Sequence, residues 1–212
     1  MGADAEETQA RILGAAGELF SVQGVAATSM RQIAKSAGVS QSTVHHYFDN
    51  KDGLYLACVE QMYNEVDKLT DRLVSVVPNA DSAAAAVAMV VSETYRFGLR
   101  NQRSVLFLNR LTLETGEAAI PQRANRLLQA VDMFSALLAR WTKRDEVEMR
   151  MALYNLNFLI TRLVVADKAE VAAVLKMDPA APDTTIHEEA EKHLIAFAKG
   201  AIGLTGHELG PA

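Results

Sequence analysis

Residues 29–51 read SMRQIAKSAGVSQSTVHHYFDNK, and their spacing predicts two short helices joined by a tight turn. Ser29 and Gln32 form an S-x-x-Q capping box, which starts a helix at Met30 that runs to about Ser36 and buries Ile33, Ala34 and Ala37. Gly38 stands where the chain must reverse, a place that commonly needs positive φ, and Val39 behind it drops into the core between the helices. Ser40 caps the second helix. There Val44 and Phe48, four apart, face inward and leave Gln41, Ser42, Thr43, His45, His46 and Tyr47 around the outside. Amide, hydroxyl, imidazole and phenol groups suit base edges and phosphates, so the stretch reads as a helix-turn-helix for the DNA major groove.

Around it stand Arg11-Ile12-Leu13, Ala15-Ala16, Leu19-Phe20, Gly24, Thr28, Arg31, Ile33-Ala34, Ala37-Gly38-Val39-Ser40, Tyr47-Phe48, Lys51 and Leu54. In this order and spacing they resemble the TetR family of bacterial transcriptional regulators, over about the first quarter of the chain. Beyond it the similarity is one of architecture and length. The resemblance implies that the helix beginning near Ser40 is the recognition helix, that Lys51 opens the fourth helix, and that Thr28, Ser29 and Arg31 lie near phosphates. Two positions depart from the pattern: Ser42 stands where glycine is frequent and His45 where tyrosine is frequent, which shortens the reach there. We assign Gln41 to adenine and Thr43 to a thymine methyl. Tyr47, His46 and Lys51 are assigned mainly to phosphates.

Half of the 212 residues are apolar, and their periodicity is helical throughout, so the expected fold class is all-α. The expected domains are a head over residues 1–52 and a helical effector-binding and dimerisation body over residues 53–212. A net charge of −5 runs against a DNA binder only until it is divided: residues 29–51 carry +2 and the remainder −7. Local charge acts at the groove, where helix N-termini add positive potential, while the acidic remainder discourages nonspecific coating of DNA.

The single cysteine, Cys58, excludes an internal disulfide and falls on an apolar stripe, as a buried inert thiol would. We expect a cytoplasmic protein with no membrane partner: there is no signal peptide, Ala83 to Val91 is too short to cross a bilayer, and Glu6 defeats a myristoylation pattern at Met1-Gly2.

Further helices are expected over Glu6 to Val22, from Lys51 along Leu54, Cys58, Met62, Val66, Leu69 and Leu73, and over Ser82 to Arg100, Arg103 to Glu114, Gln122 to Trp141, Asp145 to Ala166 and Asp183 to Leu204. Pro78-Asn79, Thr115-Gly116, Pro121 and the segment from Met177 to Asp183 mark breaks. Gly14 and Gly17 inside the first helix point to close helix approach. Met149, Leu153, Leu156, Ile160 and Leu163 form one late stripe, and Ile186, Ala190, Leu194, Phe197, Ala201 and Leu204 a second. These stripes fit packing inside one subunit or a homodimer. The resemblance implies the dimer, through a four-helix interface, and two-fold dimers set recognition helices about 34 Å apart on DNA.

Bulky or flexible apolar residues in the middle of the chain, Met62, Met89, Tyr95, Phe97, Phe107, Met133, Phe134, Trp141, Tyr154 and Phe158, suit either a ligand pocket or plain core. Asn109, Arg110, Asn155, Asn157 and Arg162 interrupt those helices with polar groups. Arg110 and Arg162, if buried, need a carboxylate partner or an anionic ligand. No catalytic constellation, cofactor motif or metal site is expected. His187-Glu188 and His207-Glu208 begin like a zinc-protease motif, but the second histidine is replaced by Glu191 or Pro211, and the adjacent His45 and His46 point in different directions on a helix.

The expected function is a homodimeric regulator, most simply a repressor, that binds a palindromic operator in double-stranded DNA and is released by a small-molecule effector. The rivals are a regulator without effector gating or acting as an activator, and a helical carrier or enzyme with a vestigial head.

Overall fold

The computed structural model describes residues 3–115 and 121–204, and every regular element among them is helical. In chain order these are α1 (Ala3–Ala27), α2 (Met30–Ala37), α3 (Gln41–Phe48), α4 (Lys51–Val76), α5 (Ala83–Arg100), α6 (Gln102–Thr115), α7 (Pro121–Thr142), α8 (Glu146–Val165), α9 (Lys168–Val174) and α10 (Asp183–Ile202). Gly116, His207 and Glu208 lie outside the described residues.

The all-α expectation holds, and the differences are at ends and in short pieces. A 3₁₀ turn, Val77–Asn79, follows α4 where Pro78 cannot continue the ladder. The sequence reading missed α9, a seven-residue helix whose Asp167 side chain accepts from the Ala169 amide. Gly14 and Gly17 have no neighbour within 4 Å of where a Cβ would stand, so close approach does not explain them.

Packing gathers the chain into two units. The first comprises residues 1–66 and 103–121, the second residues 67–102 and 122–212. The division expected after residue 52 is one of roles; packing draws its line further on and brings α6 in with the head. In the first unit Ile12, Ala16, Phe20, Ile33, Ala34, Val44, Phe48, Leu54, Cys58, Val59, Met62 and Phe107 form one apolar core. Burial pushes the Cys58 thiol up to about 12, so it stays a thiol and fills space. In the second unit Leu73, Val77, Ala86, Ala130 and Phe134 form a core, with Met89, Met133, Leu137, Trp141 and Leu153 packed against it. Its other seam runs between α5, α8 and α10, where Val91, Tyr95, Met149, Leu156, Ile160, Ile186, Ala190, Leu194 and Ala198 are buried.

Candidate nucleic-acid interface

The helix pair expected from residues 29–51 is present with its caps. Ser29 Oγ accepts from the Gln32 amide while Gln32 Oε1 takes the Ser29 N–H at 2.8 Å and the Ser29 hydroxyl at 2.7 Å, a complete capping box. Gly38 closes α2 at φ 67°, ψ 35°, and the Val39 amide returns to the Ala34 carbonyl at 3.0 Å. Ser40 Oγ accepts from the Thr43 amide at 3.0 Å and lies 2.7 Å from the hydroxyls of both Ser42 and Thr43. Asn50 Oδ1 then caps α4 through the Gly53 amide at 2.8 Å.

These caps fix which side of α3 is free. Val44 and Phe48 are buried, Gln41, Ser42, His45 and His46 are exposed, and Thr43 and Tyr47 are half-buried. Arg31 and Lys35 are exposed on α2. His45 Nδ1 lies 2.7 Å from the Asp49 carbonyl, which only accepts, so Nδ1 donates there and Nε2 points outward. The Tyr47 ring stacks edge-on to His46 with centroids 5.4 Å apart.

Several of the expected DNA contacts are otherwise engaged. Thr28 is 2% exposed. Its hydroxyl donates to the Gly24 carbonyl at 2.7 Å and accepts from Gln23 Nε2 at 3.1 Å, so its proton is not offered to a phosphate. The Ser29 hydroxyl is spent in its own capping box. What the start of α2 offers an anion is therefore the backbone amides of Met30 and Arg31, which have no intrahelical partner. Lys51 is half-buried, with Nζ donating to the carbonyls of Val25 at 3.0 Å and Thr28 at 3.2 Å.

The residues expected to face a dimer partner divide by burial. Met149, Leu156, Ile160, Ile186, Ala190 and Leu194 are all at most 5% exposed and fill the second unit. Leu153 and Leu163 are half-buried, while Phe197 and Ala201 are exposed. The correction is a rotation: α8 and α10 turn the chosen stripes inward because these carry the aliphatic residues that fit the α5 seam. The outward apolar face is instead Val147, Met151, Tyr154 and Phe158 on α8 with Phe197 on α10, from 45% to 66% exposed. An open groove of about 470 Å³ runs between them, lined by Val147, Met151, Asn155, Phe197 and Ala201 among others.

The expected ligand residues are not gathered within one unit. Met62, Phe107 and Arg110 belong to the first unit, with Phe107 stacked on Phe20 at 6.0 Å. Tyr154, Asn155 and Phe158 sit on the exposed face of α8, the two rings 5.2 Å apart. Arg162 is exposed and pairs with Glu170, which answers the need for a partner without a ligand. Tyr95 is fully buried with its hydroxyl 2.8 Å from His187 Nδ1. Met89, Met133 and Phe134 remain together around the core of the second unit.

An α2–turn–α3 pair with a polar outer face, seated on the apolar core of the first unit, defines a helix-turn-helix head. Residues 12–58 match the sequence profile of the tetR family of bacterial regulatory proteins. The chain is 31% identical over 122 residues to the HTH-type transcriptional regulator UidR of Escherichia coli K12, a match covering 51% of this chain and 60% of that protein. The chain thus spans about three fifths of the length of this curated relative. A TetR-like transcriptional regulator from Rhodococcus sp. RHA1 shares the fold at a TM-score of 0.67 and 19% identity, covering 94% of this chain and 97% of that one. FadR from Bacillus subtilis, solved in complex with stearoyl-CoA, does so at a TM-score of 0.53 and 18% identity, covering 92% and 96%.

Proposed function

We propose that the protein is a DNA-binding transcriptional repressor that acts as a homodimer on a palindromic operator and is released by a small molecule. The observation that carries the DNA reading is the free face of α3, where Gln41, Ser42, His45 and His46 are exposed while Val44 and Phe48 anchor the helix. Gln41 and Thr43 are the proposed base readers. Tyr47, His46, Arg31 and the α2 amides are the proposed phosphate contacts. Lys51 reaches a phosphate only through the proton its two carbonyl bonds leave over.

An eight-residue reader spans few base pairs, which supports a two-fold dimer. The exposed side chains Val147, Met151, Tyr154, Phe158 and Phe197 are the proposed contact, continuous along α8 and α10. For the effector, the soft wall of Met89, Met133, Leu137 and Trp141 around Phe134 is the proposed lining, in a fold that accommodates stearoyl-CoA in the Bacillus subtilis protein. Release follows by population shift if the effector binds the DNA-incompetent arrangement more tightly.

Selection of bound sequences from a random duplex pool, at two salt concentrations, tests this reading. A palindrome with half-sites about one helical turn apart is expected. Enrichment of no sequence at either salt would overturn the assignment of α3.

A further inference from the structure

The end of α1 is where the head leaves helical geometry, and it is held by side chains from far along the chain. Gly24 sits at φ 82°, ψ 163°, a region essentially closed to other residues. The kink takes nearby carbonyls out of the helical ladder, and those of Val22, Gly24, Val25 and Thr28 accept from side chains. Thr28 supplies its hydroxyl to Gly24. Arg110 Nη1 on α6 donates to the Val22 carbonyl at 3.3 Å, and Lys51 Nζ on α4 donates to those of Val25 and Thr28. Both cations stand at the kinked C-terminal end of α1, where its carbonyls give a negative potential.

Arg110 is seated there by its surroundings. Its guanidinium lies over Gly24, where a Cβ would come within 3.3 Å of Nη2 and 3.5 Å of Cζ. On the same stripe of α6, Phe107 meets Phe20 and Tyr55, with centroids 6.0 and 5.7 Å apart, and Arg103 Nη1 pairs with Glu18 Oε1 at 3.0 Å. Residues 103, 107 and 110, spaced four and three, follow α1 from Glu18 to Gly24.

We propose that Arg110, together with Lys51, is a positioning residue for DNA recognition: the two cations clamp the end of α1 and so set the α2–α3 pair, from a helix outside the helix-turn-helix. This rests on the reading of α2 and α3 as the DNA reader. Residues 25–29 are the covalent route from α1 into α2, and Lys51 holds the carbonyl of Thr28, next to the Ser29 cap. With the clamp open, those carbonyls turn to water and α2 enters its cap from a looser chain. Binding DNA must then order that segment, a cost paid at any sequence. Affinity falls uniformly, and base preference, which belongs to α3, stays.

The test uses the full chain and the duplex selected with the wild type. Arg110→Ala is expected to weaken binding about tenfold with unchanged base preference, and Arg110→Lys, which keeps a donor, to recover most of it. Amides 28–33 are expected to exchange hydrogen faster in Arg110→Ala while those of α10 do not change. Affinity within about twofold of wild type would overturn the proposal, as would a loss matched by faster exchange along the whole chain, the mark of a general stabiliser. If the wild type selects no sequence, the reading of α3 fails by itself. The clamp is then judged by exchange, and unaltered protection of amides 28–33 in Arg110→Ala would overturn it too.

Discussion

The Tyr95 hydroxyl on α5 lies 2.8 Å from Nδ1 of His187 on α10, with the two rings 6.0 Å apart. From the next residue of α5 to one turn further along α10, Arg96 Nε and Nη2 each reach a carboxylate oxygen of the buried Glu191 at 2.9 Å. The α5–α10 seam therefore carries polar pairs beside its apolar contact, the Arg96 end reaching solvent. Burial pushes the Tyr95 phenol up to about 12, and the Glu191 charge adds to that. The phenol thus stays protonated beside the imidazole.

This makes stability depend on mildly acid pH. Burial lowers the His187 pKa from its ordinary value of 6.5, with Lys168 adding to the shift and Asp183 opposing it. As pH falls below about 6.5 the unfolded chain takes up a proton that the folded chain refuses, so the stabilisation present above that pH is lost progressively towards the lower folded value. Melting temperatures of wild type and His187→Gln between pH 7.5 and 5.5 are expected to converge at the acid end. Parallel curves would show that the imidazole is not the group responsible.

Glycines inside α1 give a prediction of opposite sign. At Gly14 and Gly17 an added methyl meets nothing within 4 Å, and both residues lie well inside the helix. Gly14→Ala and Gly17→Ala are each expected to stabilise the protein by roughly 0.5–1 kcal/mol, read from denaturant midpoints at unchanged slope. Destabilisation by either would mean that the site has a neighbour in solution, a second copy or another partner. Gly24→Ala belongs to the other class, since its backbone is strained for any side chain and Arg110 occupies the space above it.

These cases show what the sequence made legible. Ser29, Gln32, Gly38 and Ser40 act locally, over three or four residues, so caps, turn and the inward face of α3 followed from spacing. Lys51 and Arg110 are decided by partners 23 to 88 residues away, Lys51 by the carbonyls of Val25 and Thr28 and Arg110 by that of Val22. No local pattern reveals such a partner. The stripes on α8 and α10 failed for another reason. Both helices carry apolar residues on two faces, inward Met149, Leu156 and Ile160 and outward Met151, Tyr154 and Phe158, and periodicity alone does not choose between them.

The two faces of α8 predict different failures. Met149→Ala or Leu156→Ala removes a side chain that is at most 3% exposed and is expected to cost about 2–5 kcal/mol of stability. Phe158→Asp and Phe197→Glu change side chains that are 62% and 56% exposed, so the fold should survive while the proposed dimer separates. Sedimentation velocity with circular dichroism distinguishes these outcomes. A dimer that persists in the Phe158→Asp, Phe197→Glu double variant would move the interface off this face.

On the DNA face, contacts sort by what they change. Gln41→Ala removes an exposed amide proposed to read a base, so it should relax preference at one position of each half-site, with a loss of about 1–3 kcal/mol on the best duplex. Arg31→Ala removes one exposed charge and should weaken binding alike at every sequence, lowering the slope of log K against log salt by about one per head. Thr28→Val is the control that separates contact from scaffold. It keeps the buried shape but leaves the Gly24 carbonyl without its donor, so it should destabilise the head by about 1–3 kcal/mol and leave the salt slope alone. Binding isotherms at three salt concentrations, beside a urea melt of each variant, measure all of this. A reduced salt slope in Thr28→Val would return Thr28 to the phosphates, and an unchanged base preference in Gln41→Ala would take Gln41 out of the groove.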